Sequence, residues 1–331
     1  MKKKDILKRR NTANRNNMRI KIIFIFLLTV FLWTCAESLL SQQDFENTGN
    51  NNTSRPVSFK TVMPSSFRGV KPNVIQDATH SLSSFFEKLS ALQNPVDTGT
   101  TVVRIVHIGD SHVRSHEFTP ALSSRLTEIF GNAAVGTIEG YRSQGILEEN
   151  GSSGVICHCI GINGATNQNF LDENYMLQIQ QLHPDLIIIS LGTNESFSLY
   201  DSETHYDMMD SLFSMIKSYC PEASLLYTTP PGAYKMTYRR YVRHKRVYHR
   251  LIRVEENRNV EKAAATIVRF AANHHVACWD LFNIAGGDRY ACKNWLSGNY
   301  FQRDRVHFVA AGYALQGNLL YEAIMNEYNE K

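Results

Sequence analysis

The stretch Leu186-Ile187-Ile188-Ile189-Ser190-Leu191 constrains the fold more than any other. Successive side chains of a strand point to opposite faces, so an unbroken apolar run needs cover on both sides. Four more segments share this character: residues 101–108, 155–160, 223–229 and 276–282. Stretches with helical spacing separate or follow them, at residues 118–130, after 166 to about 182, at 206–219, 260–275 and 310–328. Strand and helix alternate five times. That pattern predicts an α/β fold, a parallel sheet with helices on both faces in a three-layer α/β/α sandwich.

The chain has 331 residues, 43% of them apolar, enough for one globular domain with appendages. That domain is expected over residues 73–331. Residues 1–36 read as a leader. Nine Lys and Arg precede Ile22–Trp33, a continuous apolar run of twelve residues. A membrane span needs about 20, whereas the apolar centre of a signal peptide is shorter. Met18 offers an alternative start, and Thr34-Cys35-Ala36 a small-residue cleavage site. Leu32-Trp33-Thr34-Cys35 resembles a lipoprotein box with Cys35 lipidated, and an uncleaved anchor is the third reading. All three export the domain to the periplasm or cell envelope. Residues 37–72, rich in Asn, Ser, Thr and Gln, read as a flexible linker. A helix is expected over 73–92, capped by Asn73, with Val74, Ala78, Leu82, Phe85, Phe86 and Leu89 on one side.

The leader distorts the charge balance. The chain is +4 overall, but without its first 36 residues it keeps 26 basic and 30 acidic residues, a net −4. The basic total therefore gives no ground for a nucleic-acid partner. Cys157-His158-Cys159 lies inside an apparent strand and lacks a second ligand pair at a zinc-like spacing, so buried thiols and no metal are expected. Cys278 and Cys292 are candidates for a disulfide in an oxidising compartment.

A flavodoxin-like strand order, 2-1-3-4-5, places the first strand between the second and third. Gly109-Asp110-Ser111-His112 follows the first, Gly161-Ile162-Asn163-Gly164 the second and Gly192-Thr193-Asn194-Glu195 the third. All three turns then open on one edge of the sheet. Ser111 is flanked by a glycine N–H and an amide side chain, the donors that a tetrahedral oxyanion needs. Candidate donors are the backbone N–H of Ser111, that of Gly164 and the Asn194 side chain. Serine attacks only when a base takes its proton. Asp304-Arg305-Val306-His307 supplies a candidate base and orienting acid before the last helix. His112 and His116 are rival bases, and Asp280 is a rival acid.

These four blocks, in this order, resemble the SGNH/GDSL hydrolase superfamily over roughly residues 100–327. The resemblance implies an esterase with Ser111 as nucleophile, Gly164 and Asn194 in the oxyanion hole, and His307 with Asp304 as base, without a cofactor. His112 stands where the family usually has Leu, as in the branch acting on O-acetyl groups of bacterial envelope polysaccharides. Glu195 stands where the third block often has Asp. The expected function is an exported serine esterase removing acetyl or other small acyl groups from a carbohydrate. An O-acyltransferase and a non-catalytic glycan-binding module are the alternatives.

Residues 239–253 hold seven basic residues and no acid, interleaved with Tyr238, Tyr241 and Tyr248. The segment follows the fourth strand, so it is expected beside the active edge as an arm for an anionic polymer or membrane surface. Tyr241, Arg243 and Arg246, with His112, are the candidate substrate-binding residues. The alternative is a solvated helix face or hairpin.

Overall fold

In a computed structural model, residues 61, 63–93, 99–136, 145–197, 199–243 and 247–330 are described, with backbone alone for 238–243 and 247–252. The leader, including Cys35, lies outside them, as do His244, Lys245 and Arg246.

A six-stranded sheet organises the domain. Its five parallel strands are β2 (Val102–Gly109), β5 (Gly154–Gly161), β6 (Leu186–Ser190), β7 (Ser224–Thr228) and β10 (Ala277–Trp279). They lie in the order β5-β2-β6-β7-β10, and β1 (Ile75–Gln76) pairs antiparallel on the outside of β10. The sheet is thus one strand larger than the sequence predicts. The run in β6 divides as strand geometry demands. Leu186 and Ile188 join the core on one face, Ile187 and Ile189 the core on the other. One face is covered by α1 (Ser83–Gln93), α3 (Phe118–Phe130) and α9 (Ala310–Glu330). The other is covered by α4 (Glu173–Gln181), α5 (Ser202–Tyr219) and α6 (Asn259–His274).

Several expectations need correction. No helix starts at Asn73. Ile75 and Gln76 give their backbone to β10 instead, and Asn73 accepts a hydrogen bond from the Trp279 indole. The helix begins only after the Asp77 carboxylate has accepted from the backbone of Ser81 and Leu82. Val74, assigned to the buried side, is 47% exposed. Cys278 and Cys292 are both free and buried. Cys278 sits in β10, while the Cys292 thiol, on α8 (Gly287–Ser297), donates to the Ala233 carbonyl. Cys157 and Cys159 are also free thiols, inside β5, where burial raises them to about 12 and about 11.

The basic segment is a β-hairpin. Strands β8 (Tyr234–Arg243) and β9 (Val247–Glu256) pair in register from Tyr234↔Glu256 to Arg243↔Val247. The region before β5 holds a short ladder, β3 (Ala134–Val135) with β4 (Glu148–Glu149).

Candidate active site

Gly109 ends β2, and the chain turns at once into α2 (Ser111–Arg114), a single helical turn. Only glycine fits there. A Cβ at Gly109 would collide with the Val113 side chain and the Ser190 carbonyl of the neighbouring strand. Asp110 caps the turn, its carboxylate accepting from the His112 backbone N–H at 2.8 Å. Ser111 therefore takes the first helical position, where a backbone N–H has no partner within its own helix.

The base arrives from the segment between α8 and α9. Phe301 and Phe308 bridge across this loop, and the Gln302 backbone N–H donates to the His307 carbonyl at 2.7 Å. Phe308 is fully buried against Trp295 and Tyr313, so its neighbour His307 rests on the core. The Asp304 carboxylate accepts from the backbone N–H groups of Val306 and His307, at 2.9 and 3.0 Å, through Oδ1. Its Oδ2 lies 2.7 Å from His307 Nδ1. A carboxylate can only accept, so Nδ1 carries the proton and Nε2 is left as acceptor. Ser111 Oγ lies 2.9 Å from that Nε2. Burial works to raise the Asp304 pKa. The hydrogen bonds from the His307 ring and from the Val306 and His307 backbone outweigh it, and the carboxyl lies below its ordinary value.

Two more turns complete the edge. Gly164 follows β5 with φ +73°, a left-handed conformation that glycine adopts without strain. Asn194 follows β6. Its Nδ2 donates to the Ala165 carbonyl at 2.9 Å and to Asp110 Oδ2 at 3.1 Å. Asp110 is fully buried. Burial pushes its carboxyl up to about 7, against the opposing hydrogen bond from His112, the nearby His307 charge and the Thr193 hydroxyl. Glu195 reaches the loop after β5, accepting from the Asn167 backbone and side chain.

The rival residues are placed elsewhere. Asp280 caps a one-turn helix, α7 (Leu281–Ile284), and accepts from the Thr229 hydroxyl at 2.9 Å. His116 is buried, with φ +56°. His112, expected to face substrate, is buried behind the base. Its Nδ1 lies 3.1 Å from the Tyr313 hydroxyl, and its ring centre is 5.5 Å from that of His307. Burial lowers its pKa to about 3, so it supports His307 as a neutral ring. Tyr241 and Arg243 lie at the far end of the β8–β9 hairpin from its base, and Arg246 lies outside the described residues. Sequence reasoning missed Asp110, Thr193, Asn167 and Tyr313. For Asp110 the signal was present: an Asp immediately before a one-turn helix can cap it.

The arrangement can move a proton from Ser111 to His307, hold the resulting imidazolium against Asp304, and offer backbone donors to an oxyanion from the turns of Ser111 and Gly164, with the Asn194 amide joining them when its longer bond, 3.1 Å to Asp110, is given up. That is the equipment for acyl-ester hydrolysis. The GDSL-like lipase/acylhydrolase family model matches residues 126–315. That span begins after Ser111 and takes in Gly164, Asn194, Asp304 and His307. A solved structure described as a peptidoglycan O-acetylesterase is similar with TM-score 0.63 at 18% identity, over 78% of this chain and 99% of that one. At that identity the likeness establishes the fold. An acetyl xylan esterase structure gives TM-score 0.43 at 14% identity, over 67% of this chain and 100% of that one. No curated protein matches the chain significantly.

Proposed function

Because the chain belongs to the GDSL-like lipase/acylhydrolase family, we propose that it is an exported serine esterase that removes acetyl or other small acyl groups from a carbohydrate polymer. The observation that carries the reading is the continuous Ser111–His307–Asp304 hydrogen-bonded relay at the C-terminal edge of the sheet. The His307 and Asp304 side chains are 36% and 44% exposed, so the relay opens to solvent. An ester carried on a large glycan could reach such a site without the whole substrate entering the protein.

In the first step Ser111 Oγ attacks the ester carbonyl while its proton passes to His307 Nε2. The new oxyanion is held by the backbone N–H groups of Ser111 and Gly164 and by the Asn194 amide, which keeps its bond to the Ala165 carbonyl and turns its other N–H from Asp110 to the oxyanion. Collapse expels the sugar hydroxyl, which takes its proton from His307. Water then adds to the acyl-serine with His307 again as base, and the free acid leaves.

Substrate recruitment falls to the basic hairpin. Its first residue donates a backbone hydrogen bond from Tyr234 to the Arg305 carbonyl, at 2.9 Å, inside the segment that carries Asp304 and His307. The seven basic residues within positions 239–253 of the hairpin suit an anionic envelope polymer. Export is read from the basic and apolar leader, as is the position in the periplasm or envelope.

The test is release of acetate from O-acetylated envelope glycan by wild type and by Ser111→Ala. Loss of at least a thousandfold is expected in the variant, since a serine relay without its nucleophile loses several orders of magnitude. The rate on an anionic glycan should fall as salt rises, and the rate on a small neutral ester should not. Hydrolysis of small esters without any release from glycan would refute the carbohydrate assignment. Acylated acceptor in place of free acid would make the enzyme a transferase.

A further inference from the structure

The turn after β6 does more than present Asn194. Its next residue, Glu195, folds back into the protein and joins two turns that share no regular secondary structure. Oε1 accepts from the Asn167 backbone N–H at 2.9 Å and from Asn167 Nδ2 at 2.7 Å. Oε2 accepts from the Gly192 backbone N–H at 3.0 Å. Asn167 is 1% exposed. The Glu195 carboxyl is buried, and that burial raises its pKa against the hydrogen bonds from Asn167 and its own backbone. Such burial is costly unless the donors are in place. The ring of His205 lies behind it, with Nε2 4.0 Å from Oε1. Burial lowers His205 to about 4, so it faces Glu195 as a neutral ring at neutral pH.

The consequence lies in what the two turns carry. Asn167 follows Gly164-Ala165-Thr166 directly. Gly164 is one oxyanion donor, and the Ala165 carbonyl is the acceptor that orients the Asn194 amide. Gly192 and Glu195 bracket Asn194 itself. One carboxylate therefore ties the turn that carries Gly164 to the turn that carries Asn194.

We propose that Glu195 is a positioning residue that fixes the spacing of the oxyanion hole by clamping Asn167 to Gly192. This rests on the serine-esterase reading of the same site. It accounts for a glutamate beside Asn194: the carboxylate must reach Asn167 across the gap between two strand ends, and its second oxygen must still return to Gly192. Three donors converge on its two oxygens, which a single amide oxygen cannot replace.

The test uses the full chain and a small chromogenic acetate ester, so that its outcome is independent of the glycan assignment. Glu195→Gln turns an NH₂ toward either Asn167 or Gly192, donor against donor. A fall in kcat of about 30- to 300-fold with KM within about threefold is expected, in the range for impairing oxyanion donors. Affinity for a tetrahedral phosphonate should fall in parallel with kcat. The pair Asn167→Ala with Glu195→Gln removes the two ends of the same side-chain bond. Its loss in kcat should fall short of the product of the two single losses, the sign of a direct coupling. Asn167→Ala removes one of the three bonds from the other side and tests the clamp if Glu195→Gln is insoluble. A wild-type kcat in Asn167→Ala, or fully multiplicative losses in the soluble double variant, overturns the proposal. Absence of any wild-type esterase activity would instead overturn the reading on which it rests.

Discussion

Replacing Asp304 by Asn separates orientation of the base from mere proximity. Asp304 Oδ1 holds two backbone N–H groups, and Oδ2 holds one ring N–H. In Asp304→Asn the amide has one oxygen. It keeps the larger number of bonds by staying on the backbone of Val306 and His307. The NH₂ then faces His307 Nδ1, which must become an acceptor. The ring proton moves to Nε2, where it points at Ser111 and cannot accept the serine proton. A wrong tautomer of this kind lowers kcat by about 10⁴ in a buried relay, or about 5 kcal/mol. Here the pair is 36% and 44% exposed. Water can exchange with the ring and screen the charge, so about a thousandfold is expected. Asp304→Ala removes the acceptor without presenting a donor, and its loss should be smaller than that of Asp304→Asn. Asp280→Asn should leave kcat near wild type, because Asp280 serves Thr229 and its own short helix. The assay is steady-state hydrolysis of a small ester across pH, with unfolding curves to match stability. An Asp304→Asn variant within about threefold of wild type would refute the tautomer argument. So would a large loss confined to Asp280→Asn.

Two further outcomes follow from the same edge of the sheet. Asn194→Ala should lower kcat by about 10²–10³ with little change in KM, since its amide acts on charge that appears only in the transition state; a raised KM with kcat unchanged would assign it to ground-state binding. For Asp110, burial raises the folded-state pKa from 3.8 to about 7. The folded protein therefore takes up this proton more readily than the unfolded chain. Its contribution to stability is present in full below about pH 4 and is lost as pH rises through about 7. Asp110→Asn, which does not titrate, should gain on wild type by a few kcal/mol at most between about pH 5 and about pH 8. Urea unfolding at both pH values measures it, and a gap that stays constant would show that Asp110 does not titrate in this window.

The parts legible in the sequence are those whose signal is local. Leu186 to Ile189 could be assigned to a doubly covered strand because each residue answers to strand geometry alone, and the two cores receive them alternately. Ser111, Gly164 and Asn194 sit in turns beside strands that pattern identifies. Asp304 and His307 share a loop and are bonded three residues apart. The missed elements have weak local signals. Ile75–Gln76 is two residues long, and its strand character exists only because β10 leaves an edge to pair with. The helix Gly287–Ser297 opens on Gly286 as cap and Gly287 as first residue, both at positive φ, which disguise its start. In the β8–β9 hairpin, charge and aromatic residues obscure the strand pattern, and cross-strand pairing defines the element.

The site itself follows the same division, and there the physical reason is sharper. Reactive groups are recognisable because chemistry restricts which side chains can serve. The groups that hold them are not so restricted, since any donor and acceptor of suitable reach will do. Glu195 and Asn167 lie 28 positions apart in two turns. Nothing in either turn announces the other, and they meet only because β2 separates β5 from β6 by one strand. His112 misled for the converse reason. As a histidine beside the nucleophile it resembles a group that meets substrate. Helical geometry instead turns it inward, onto Tyr313 and the back of His307. An imidazole buried there with a pKa of about 3 stays uncharged near the imidazolium that forms on His307 during catalysis. A cation in that position would oppose that imidazolium and weaken the base. The neutrality of His112 is thus part of what keeps His307 able to accept the Ser111 proton.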